Sequence, residues 1–266
     1  MPTTNRNVTH KQRLDLIERY IREHKYADLH TLASEFDISL STVRRALNEL
    51  EGKGLLRRHH GGASLVDEEN GSGGYDFITQ DARQAAEKNA IARYVASTIQ
   101  NGMTVLLDGG TTTYAVARHL TEKRLVIITN SLPIAALFSE IGASETIVTG
   151  GTVYHRLGIL YGPTCEMALS QVHADVAILG AAGVTAEGIW NNNTFIIAFQ
   201  RLMRKAADKV FYVFDHTKFE RRALSLSCGL DPSFLAITDS KPPATLSTSL
   251  REAGTELVVA PESKRT

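Results

Sequence analysis

The feature that most constrains the fold is a repeated alternation in residues 86–266. Seven short apolar runs rich in β-branched residues alternate with stretches that have helical periodicity, an arrangement typical of a mostly parallel sheet with helices on both faces. The strands are predicted at residues 104–107, 125–129, 146–148, 176–179, 210–214, 234–238 and 257–259. Helices are predicted at residues 87–100, 113–120, 132–141, 165–171, 195–207 and 244–253. This part is therefore expected to be a Rossmann-like α/β domain.

Polar and glycine-rich turns follow five of these strands. Because ligands of parallel sheets bind beyond the carboxyl ends of the strands, the turns predict one shared polar pocket for an anionic ligand. Any one turn alone would be explained as a tight turn with a capping hydroxyl. The first turn suits a phosphate, since glycines and a helix start present backbone N–H groups, although no Gly-Lys-Ser/Thr follows as in a P-loop. The candidate residues are Asp108, Gly109, Gly110, Thr111, Thr112, Thr113, Asn130, Ser131, Gly150, Gly151, Asp215 and Lys218.

A second constraint lies in residues 39–62. Val43, Leu47 and Leu50 form one apolar stripe of a helix, Gly52 and Gly54 end it, and a basic strand and glycine turn follow. A helix with hydroxyls and arginines opposite its apolar stripe, followed by a basic hairpin, suits a DNA groove and its phosphates. We favour this interpretation over the alternative that the arginines only form a solvated basic face. The predicted DNA contacts are Ser39, Ser41, Thr42, Arg44, Arg45, Asn48, Arg57, Arg58, His60 and Gly61.

Two amphipathic helices precede this stretch, at residues 11–23 and from about residue 29, the second capped by Asp28. Three helices and a two-stranded wing make a winged helix-turn-helix domain. We therefore expect a DNA-binding domain at residues 1–63, a flexible acidic and glycine-rich linker at residues 64–85, and an α/β domain at residues 86–266 that binds an effector and holds an oligomer, a dimer or tetramer.

Charge and cysteine content add weaker limits. The net charge is zero, but residues 1–62 carry +3 and the remainder −3, which fits a nucleic-acid reader joined to another domain. Cys165 and Cys228 form no zinc or disulfide pattern, and no apolar signal peptide or membrane span is recognisable. The sequence thus predicts a cytoplasmic protein without a metal or cofactor.

Several sequence motifs in both parts of the chain resemble those of a known family. Residues 43–63, V-R-R-A-L-N-E-L-E-G-K-G-L-L-R-R-H-H-G-G-A, are similar to the signature of the DeoR-type bacterial repressors of sugar metabolism. D-G-G-T-T-T (108–113), T-N-S-L (129–132), G-G-T (150–152), residues 175–183 and D-H-T-K-F (215–219) resemble the effector domain of that family, whose fold is similar to sugar-phosphate isomerases. Ala46, Gly110, Ala182 and Gln200 depart from the family pattern.

The resemblance implies a transcriptional repressor of a carbohydrate operon that a phosphorylated sugar releases. The apolar helix at residues 195–199 and the alanine at position 182 predict a ligand that is less polar at the end away from its phosphate than the usual ligands of the family. Asp108 and Asp215 would then accept sugar hydroxyls, and Lys218 would supply a cation. The alternative is a sugar-phosphate isomerase with an accessory DNA-binding head, which we disfavour because residues 181–184 and the helix after them lack the expected acid and base. A third reading is a DNA-binding module whose second half only oligomerises.

Overall fold

The computed structural model describes residues 10–24, 26–52, 55–59, 62–65 and 77–261. Contacts divide the chain into two units, Met1–Gly74 and Tyr75–Thr266. The predicted bounds of the DNA-binding domain, linker and effector domain stay predictions. One helix, Phe77–Ala82, lies within residues 64–85, where composition predicted a flexible linker.

The first unit has the predicted three helices and a wing. Its elements are α1 (His10–His24), β1 (Tyr26–Asp28), α2 (Leu29–Glu35), α3 (Leu40–Gly52), β2 (Leu56–His59) and β3 (Gly62–Leu65). The wing has three antiparallel strands in the order β1-β3-β2, so β1 adds a strand to the two that were predicted. The predicted cap of α2 is confirmed, since the Asp28 carboxylate accepts the N–H groups of His30 and Thr31. At the start of α3 the Ser39 hydroxyl accepts the N–H of Thr42 in the same way.

The first unit has its own apolar core. The residues of the predicted apolar stripes of the three helices are buried together with one residue of each wing strand. The buried set is Leu14, Ile17, Ile21, Ala27, Leu29, Leu32, Val43, Ala46, Leu47, Leu50, Leu56 and Ala63.

The second unit is the predicted parallel α/β fold. Its helices are α4 (Phe77–Ala82), α5 (Ala85–Thr98), α6 (Thr111–Leu120), α7 (Leu132–Ile141), α8 (Pro163–Ser170), α9 (Thr194–Lys205) and α10 (Ala244–Glu252). The strands of the main sheet are β4 (Thr104–Leu107), β5 (Val126–Thr129), β6 (Glu145–Val148), β9 (Ala174–Gly180), β12 (Ala207–Val213), β14 (Leu235–Thr238) and β15 (Glu256–Val259). They coincide, within a few residues at each end, with the seven predicted strands.

The strand order is β15-β14-β12-β9-β4-β5-β6, and every neighbouring pair is parallel. Successive strand residues face opposite cores, since side chains alternate across a sheet. Val105 and Leu107 thus pack against α5, α6 and α7, whereas Leu106 packs against α8, α9 and α10. Burial on both faces explains why the inner strands, such as β4, β5 and β9, are nearly continuous apolar runs in the sequence.

Smaller strands lie beside the main sheet. β7 (Thr152–Tyr154) and β8 (Ile159–Tyr161) form an antiparallel hairpin, and β10 (Gly183–Thr185), β11 (Gly188–Asn191) and β13 (Ser225–Cys228) form a three-stranded sheet. The hairpin covers the carboxyl end of β5, where the Leu160 N–H donates to the carbonyl of Asn130 at 2.8 Å. Among the described residues, no helix combines the length and apolar character needed to cross a bilayer.

Candidate functional site

The helix α3 presents a polar face opposite its buried stripe. Ser41, Arg44, Arg45 and Asn48 are exposed and Thr42 is partly buried, as expected for a helix that reads a groove. Ser39 is exposed at the helix start, where its hydroxyl also bonds those of Ser41 and Thr42, each at 2.8 Å. The predicted DNA contacts on this helix therefore share one accessible face, and contact itself remains a prediction.

The predicted wing contacts are described less fully. Arg57 and Arg58 lie on β2, opposite Ser64 and Ala63 of β3. His60 and Gly61 lie outside the described residues. These four DNA contacts stay predictions.

The order of strands in the main sheet reverses between β4 and β9, which are neighbours at its centre. Such a switch point leaves a crevice beyond the carboxyl ends of the two strands, because their following connections go to opposite faces. The five predicted turns follow β4, β5, β6, β9 and β12, which are consecutive in the sheet. The structure thus brings the predicted effector residues to one edge, centred on Asp108 after β4.

Asp108 is 2% exposed and accepts three hydrogen bonds within the protein. The N–H of Gly109 donates to its Oδ1 at 2.8 Å. The N–H of Gly180, at the end of β9, donates to Oδ2 at 3.3 Å, and Nε2 of Gln200 donates to the same oxygen at 2.7 Å. Burial raises the pKa of Asp108 to about 6 although these bonds favour the carboxylate. Asp108 therefore joins both sides of the switch point.

Gln200 of α9 uses every hydrogen-bonding position of its amide. Besides Asp108, its Nε2 donates to the carbonyl of Gly180 at 2.8 Å. Its Oε1 accepts bonds from Nδ2 of Asn191 at 2.8 Å and from Oγ of Ser227 at 3.1 Å. An amide with two donors and two acceptor positions filled is held in one orientation. Gln200 is not among the predicted site residues.

The loop after β4 has the close packing expected of a site where a backbone receives a ligand. A Cβ on Gly109 would lie 2.1 Å from Cγ2 of Ile159, so only glycine fits beneath the β7–β8 hairpin. Gly110 has φ +141°, a conformation that favours glycine. Thr111, Thr112 and Thr113 open α6 and are buried, and the Thr113 hydroxyl donates to the Gly110 carbonyl at 2.9 Å.

Asn130 offers an acceptor that the described residues leave unused. Its Nδ2 donates to the carbonyl of Leu160 at 3.1 Å, whereas its buried Oδ1 has no partner among the described residues and lies 3.9 Å from where a Gly109 Cβ would be. Buried polar atoms are nearly always bonded, so an unpaired oxygen beside the loop is a feature typical of a ligand site.

Three other predicted residues have structural roles that already explain them. The Ser131 hydroxyl accepts the N–H of Ile134 and caps α7. Gly150 and Gly151 have φ of +71° and +117°, and a Cβ on Gly151 would lie 2.6 Å from the carbonyl oxygen of Tyr161. Effector contact at these residues stays a prediction.

Asp215 and Lys218 lie beyond β12, two strands from β4 or about 10 Å at the usual strand spacing. The buried Asp215 carboxylate accepts the N–H of Thr217 at 3.0 Å and begins a short 3-10 turn, His216–Lys218. Burial lowers the pKa of Lys218, and the neighbouring Asp215 raises it. Lys88 of α5 is a further buried cation there, with a pKa that burial lowers and Asp215 raises.

Neither Gln200 nor Lys88 was predicted as a site residue, because the prediction rested on turns that follow strands and both residues lie on helices. Gln200 lies among the buried residues Ile197, Phe199 and Met203 of α9. The sequence signal for both is a polar residue at a position of the apolar stripe: Gln200 on the stripe of α9 and Lys88 on that of α5. Among the residues that the structure describes, no three His, Cys, Asp or Glu side chains are grouped as metal ligands.

Comparison with known proteins identifies matches over both units. The family model described as the DeoR C-terminal sensor domain matches residues 83–240, and the DeoR-like helix-turn-helix domain matches residues 13–69. Over 265 residues the chain is 32% identical to the transcriptional repressor AccR of Agrobacterium fabrum, covering 96% of this chain and 98% of that protein. Over 237 residues it is 32% identical to the glycerol-3-phosphate regulon repressor of Escherichia coli, covering 88% and 93%.

Two further similarities are more distant. An L-fucose operon activator of Haemophilus influenzae is 31% identical over 212 residues, covering 79% of this chain and 84% of that protein. A D-ribose-5-phosphate isomerase solved with phospho-erythronic acid is 18% identical, with a TM-score of 0.38 and coverage of 50% and 52%. The likeness to the isomerase is too low to support a conclusion about this chain.

Proposed function

Because this chain belongs to the DeoR family and is a DNA-binding transcriptional regulator, we propose that it represses a carbohydrate-metabolism operon and that a phosphorylated sugar or related effector releases it. The observation that carries the proposal is the convergence of five polar turns on one sheet edge, with the unpaired Asn130 oxygen beside the glycine loop. Repression is favoured by the names of two relatives, although a third is named an activator. The operator would be double-stranded DNA in the bacterial cytoplasm.

In the proposed complex the phosphate binds the N–H groups of residues 110–113 and the hydroxyls of Thr111 and Thr112, with Lys218 as a cation. Asp215 and the Asn130 oxygen accept sugar hydroxyls. Asp108 already accepts three bonds from the protein, so it chiefly holds the loop and has one acceptor position left for a ligand. The ligand releases the operator only through a higher affinity for the conformation that does not bind DNA.

Thermal-shift measurements with a panel of sugar phosphates test this pocket. We expect at least one of them to stabilise the wild type and to have a much smaller effect on the double variant Thr111→Ala/Thr112→Ala. Thr121→Ala, at the other end of α6, is the matched control and should respond as the wild type does. The pocket assignment is wrong if no phosphorylated sugar stabilises the protein or if the double variant responds normally.

We also propose that the chain does not isomerise sugar phosphates. This rests on residues 181–184, Ala-Ala-Gly-Val, and on the apolar start of α9, which carry no carboxylate or base for proton transfer. Aldose–ketose conversion by the purified protein above the rate in buffer would contradict it. Sequencing genomic fragments that copurify with the protein would identify the operator and the neighbouring genes.

A further inference from the structure

Lys88 is a charged residue at a helix position that normally holds an apolar one. It lies three and seven residues before Ile91 and Val95 of α5, on the stripe that faces the core, and is 4% exposed. Burial disfavours the charged form of an ammonium, so such a lysine is retained only where it has a specific partner or task.

The bond that Lys88 makes in this structure joins α5 to α4. Its Nζ donates to the carbonyl oxygen of Gln80 at 2.5 Å. A carbonyl is a neutral partner and leaves the charge of the ammonium uncompensated. In sequence, α4 is the first described helix after the segment that joins the two units.

The charges around Lys88 leave a surplus of positive charge. Burial lowers the pKa of Lys88 most, Asp215 and Asp81 raise it, and Lys218 and Arg118 lower it. Asp81 is paired with Arg118 at 3.2 Å, which leaves Asp215 as the one unpaired carboxylate among those that raise the pKa of Lys88, and Asp215 also raises the pKa of Lys218. Two partly desolvated ammonium groups around one carboxylate favour the addition of an anion.

We propose, resting on the proposed function, that Lys88 binds the phosphate of the effector together with Lys218, and that the phosphate takes Lys88 from the carbonyl of Gln80. The effector site is thereby coupled to α4. Binding weakens the attachment of α4 to α5, and the change is transmitted along the chain toward the DNA-binding unit. The carbonyl and the phosphate compete for one ammonium group, which is how the ligand distinguishes two conformations.

Lys123 is a matched control for the alternative that Lys88 only fastens a helix. Its Nζ also donates to backbone carbonyls, those of Ala96 at 2.8 Å and of Ile99, at the end of α5. Lys88→Met removes one lysine–carbonyl bond that involves α5 and Lys123→Met removes two, but only the first variant removes a cation whose pKa Asp215 raises.

The test uses the full chain with inorganic phosphate as the probe, followed by the sugar-phosphate panel. We expect Lys88→Met to weaken phosphate binding by at least about tenfold, the size expected for one charge-assisted hydrogen bond. Lys88→Arg should retain most of the binding, and Lys123→Met all of it. In the wild type, phosphate should increase amide hydrogen exchange in Phe77–Ala82. This measurement tests the coupling of the site to α4 even if Lys88→Met does not fold.

The outcomes separate this inference from the proposed function. A wild type that binds neither phosphate nor any sugar phosphate contradicts both. A wild type that binds phosphate while Lys88→Met binds it equally well overturns the role of Lys88 and leaves the proposed function standing. Unchanged amide exchange in α4 on phosphate binding overturns the coupling.

Discussion

At the scale of single residues, the amide of Gln200 connects four segments of the second unit. It bonds to Asp108 after β4, to Gly180 after β9, to Asn191 of β11 and to Ser227 of β13. Each bond alone is worth about 1 kcal/mol, but removal of the amide leaves several buried polar groups without a partner. The loop that begins at Asp108 therefore depends on a side chain 92 residues away in the chain.

We expect Gln200→Met to destabilise the protein by about 2–4 kcal/mol, because the methionine fills the space but leaves the amide of Asn191 and the hydroxyl of Ser227 without this partner and removes one of the three bonds to the Asp108 carboxylate. Urea unfolding of the purified protein measures the change. Gln171→Met, at an exposed glutamine after α8, is the control and should change stability by less than about 0.5 kcal/mol. A loss below about 1 kcal/mol in Gln200→Met would show that the network contributes little.

A pH dependence is expected from Asp108. Its pKa is about 6 in the folded protein and 3.8 in the absence of the fold, so between these values the folded state holds a proton that the unfolded chain has released. The contribution of Asp108 to stability is therefore greatest below pH 4 and falls as the pH rises through 6. Asp108→Asn should remove this fall, on the order of 2–3 kcal/mol between pH 4 and pH 7. Urea titrations of both proteins at several pH values measure this difference. If the two proteins lose stability equally between pH 4 and pH 7, the assignment to Asp108 is wrong.

At the scale of elements, the sequence predicted the parts that depend on long regular patterns. The seven strands of the main sheet were predicted from apolar runs that alternate with helical stretches. The five inner strands are largely buried because an inner parallel strand is covered on both faces, whereas the edge strands β6 and β15 are partly exposed. The strands β7, β8, β10, β11 and β13 lie outside this alternation of apolar runs and helices, so the pattern does not predict them. The predicted site loops meet because they follow neighbouring strands, whereas Gln200 and Lys88 reach the edge from helices whose crossing cannot be read from spacing.

The exposed face of α3 predicts how arginine variants behave. At least one of Arg44→Ala and Arg45→Ala should cost about 1–3 kcal/mol of operator binding and relax the sequence preference. Arg57→Ala and Arg58→Ala should weaken binding to all DNA sequences alike and reduce the salt dependence of the affinity, as loss of a phosphate contact does. Gel shifts at two salt concentrations distinguish these effects, with Arg19→Ala on the exposed side of α1 as the control. Unchanged affinity in both α3 variants would exclude this helix as the reader of bases.

At the scale of the whole molecule, the first unit supplies one short recognition helix and the second a much larger sheet. One winged helix reads a half-site that is too short for specific affinity in a genome, so such proteins pair. The second unit buries two extensive apolar cores, one on each face of its sheet.

We expect residues 86–266 to hold a dimer or tetramer that binds repeated half-sites. Light scattering at micromolar concentration, with and without operator DNA, measures the mass. A truncated chain that begins near residue 75, at the unit boundary, should keep the oligomeric state of the full chain. A monomer under all of these conditions would contradict the expectation.

The separate cores of the two units have a consequence for how such a regulator evolves. The residues buried in the first unit belong to none of the buried clusters of the second. Under the proposed function, substitutions on the exposed face of α3 can therefore change which operators are bound without changing the effector, and substitutions at the sheet edge can change the effector without changing the operators. After gene duplication, effector specificity and operator specificity can therefore diverge independently, each through substitution of a few residues.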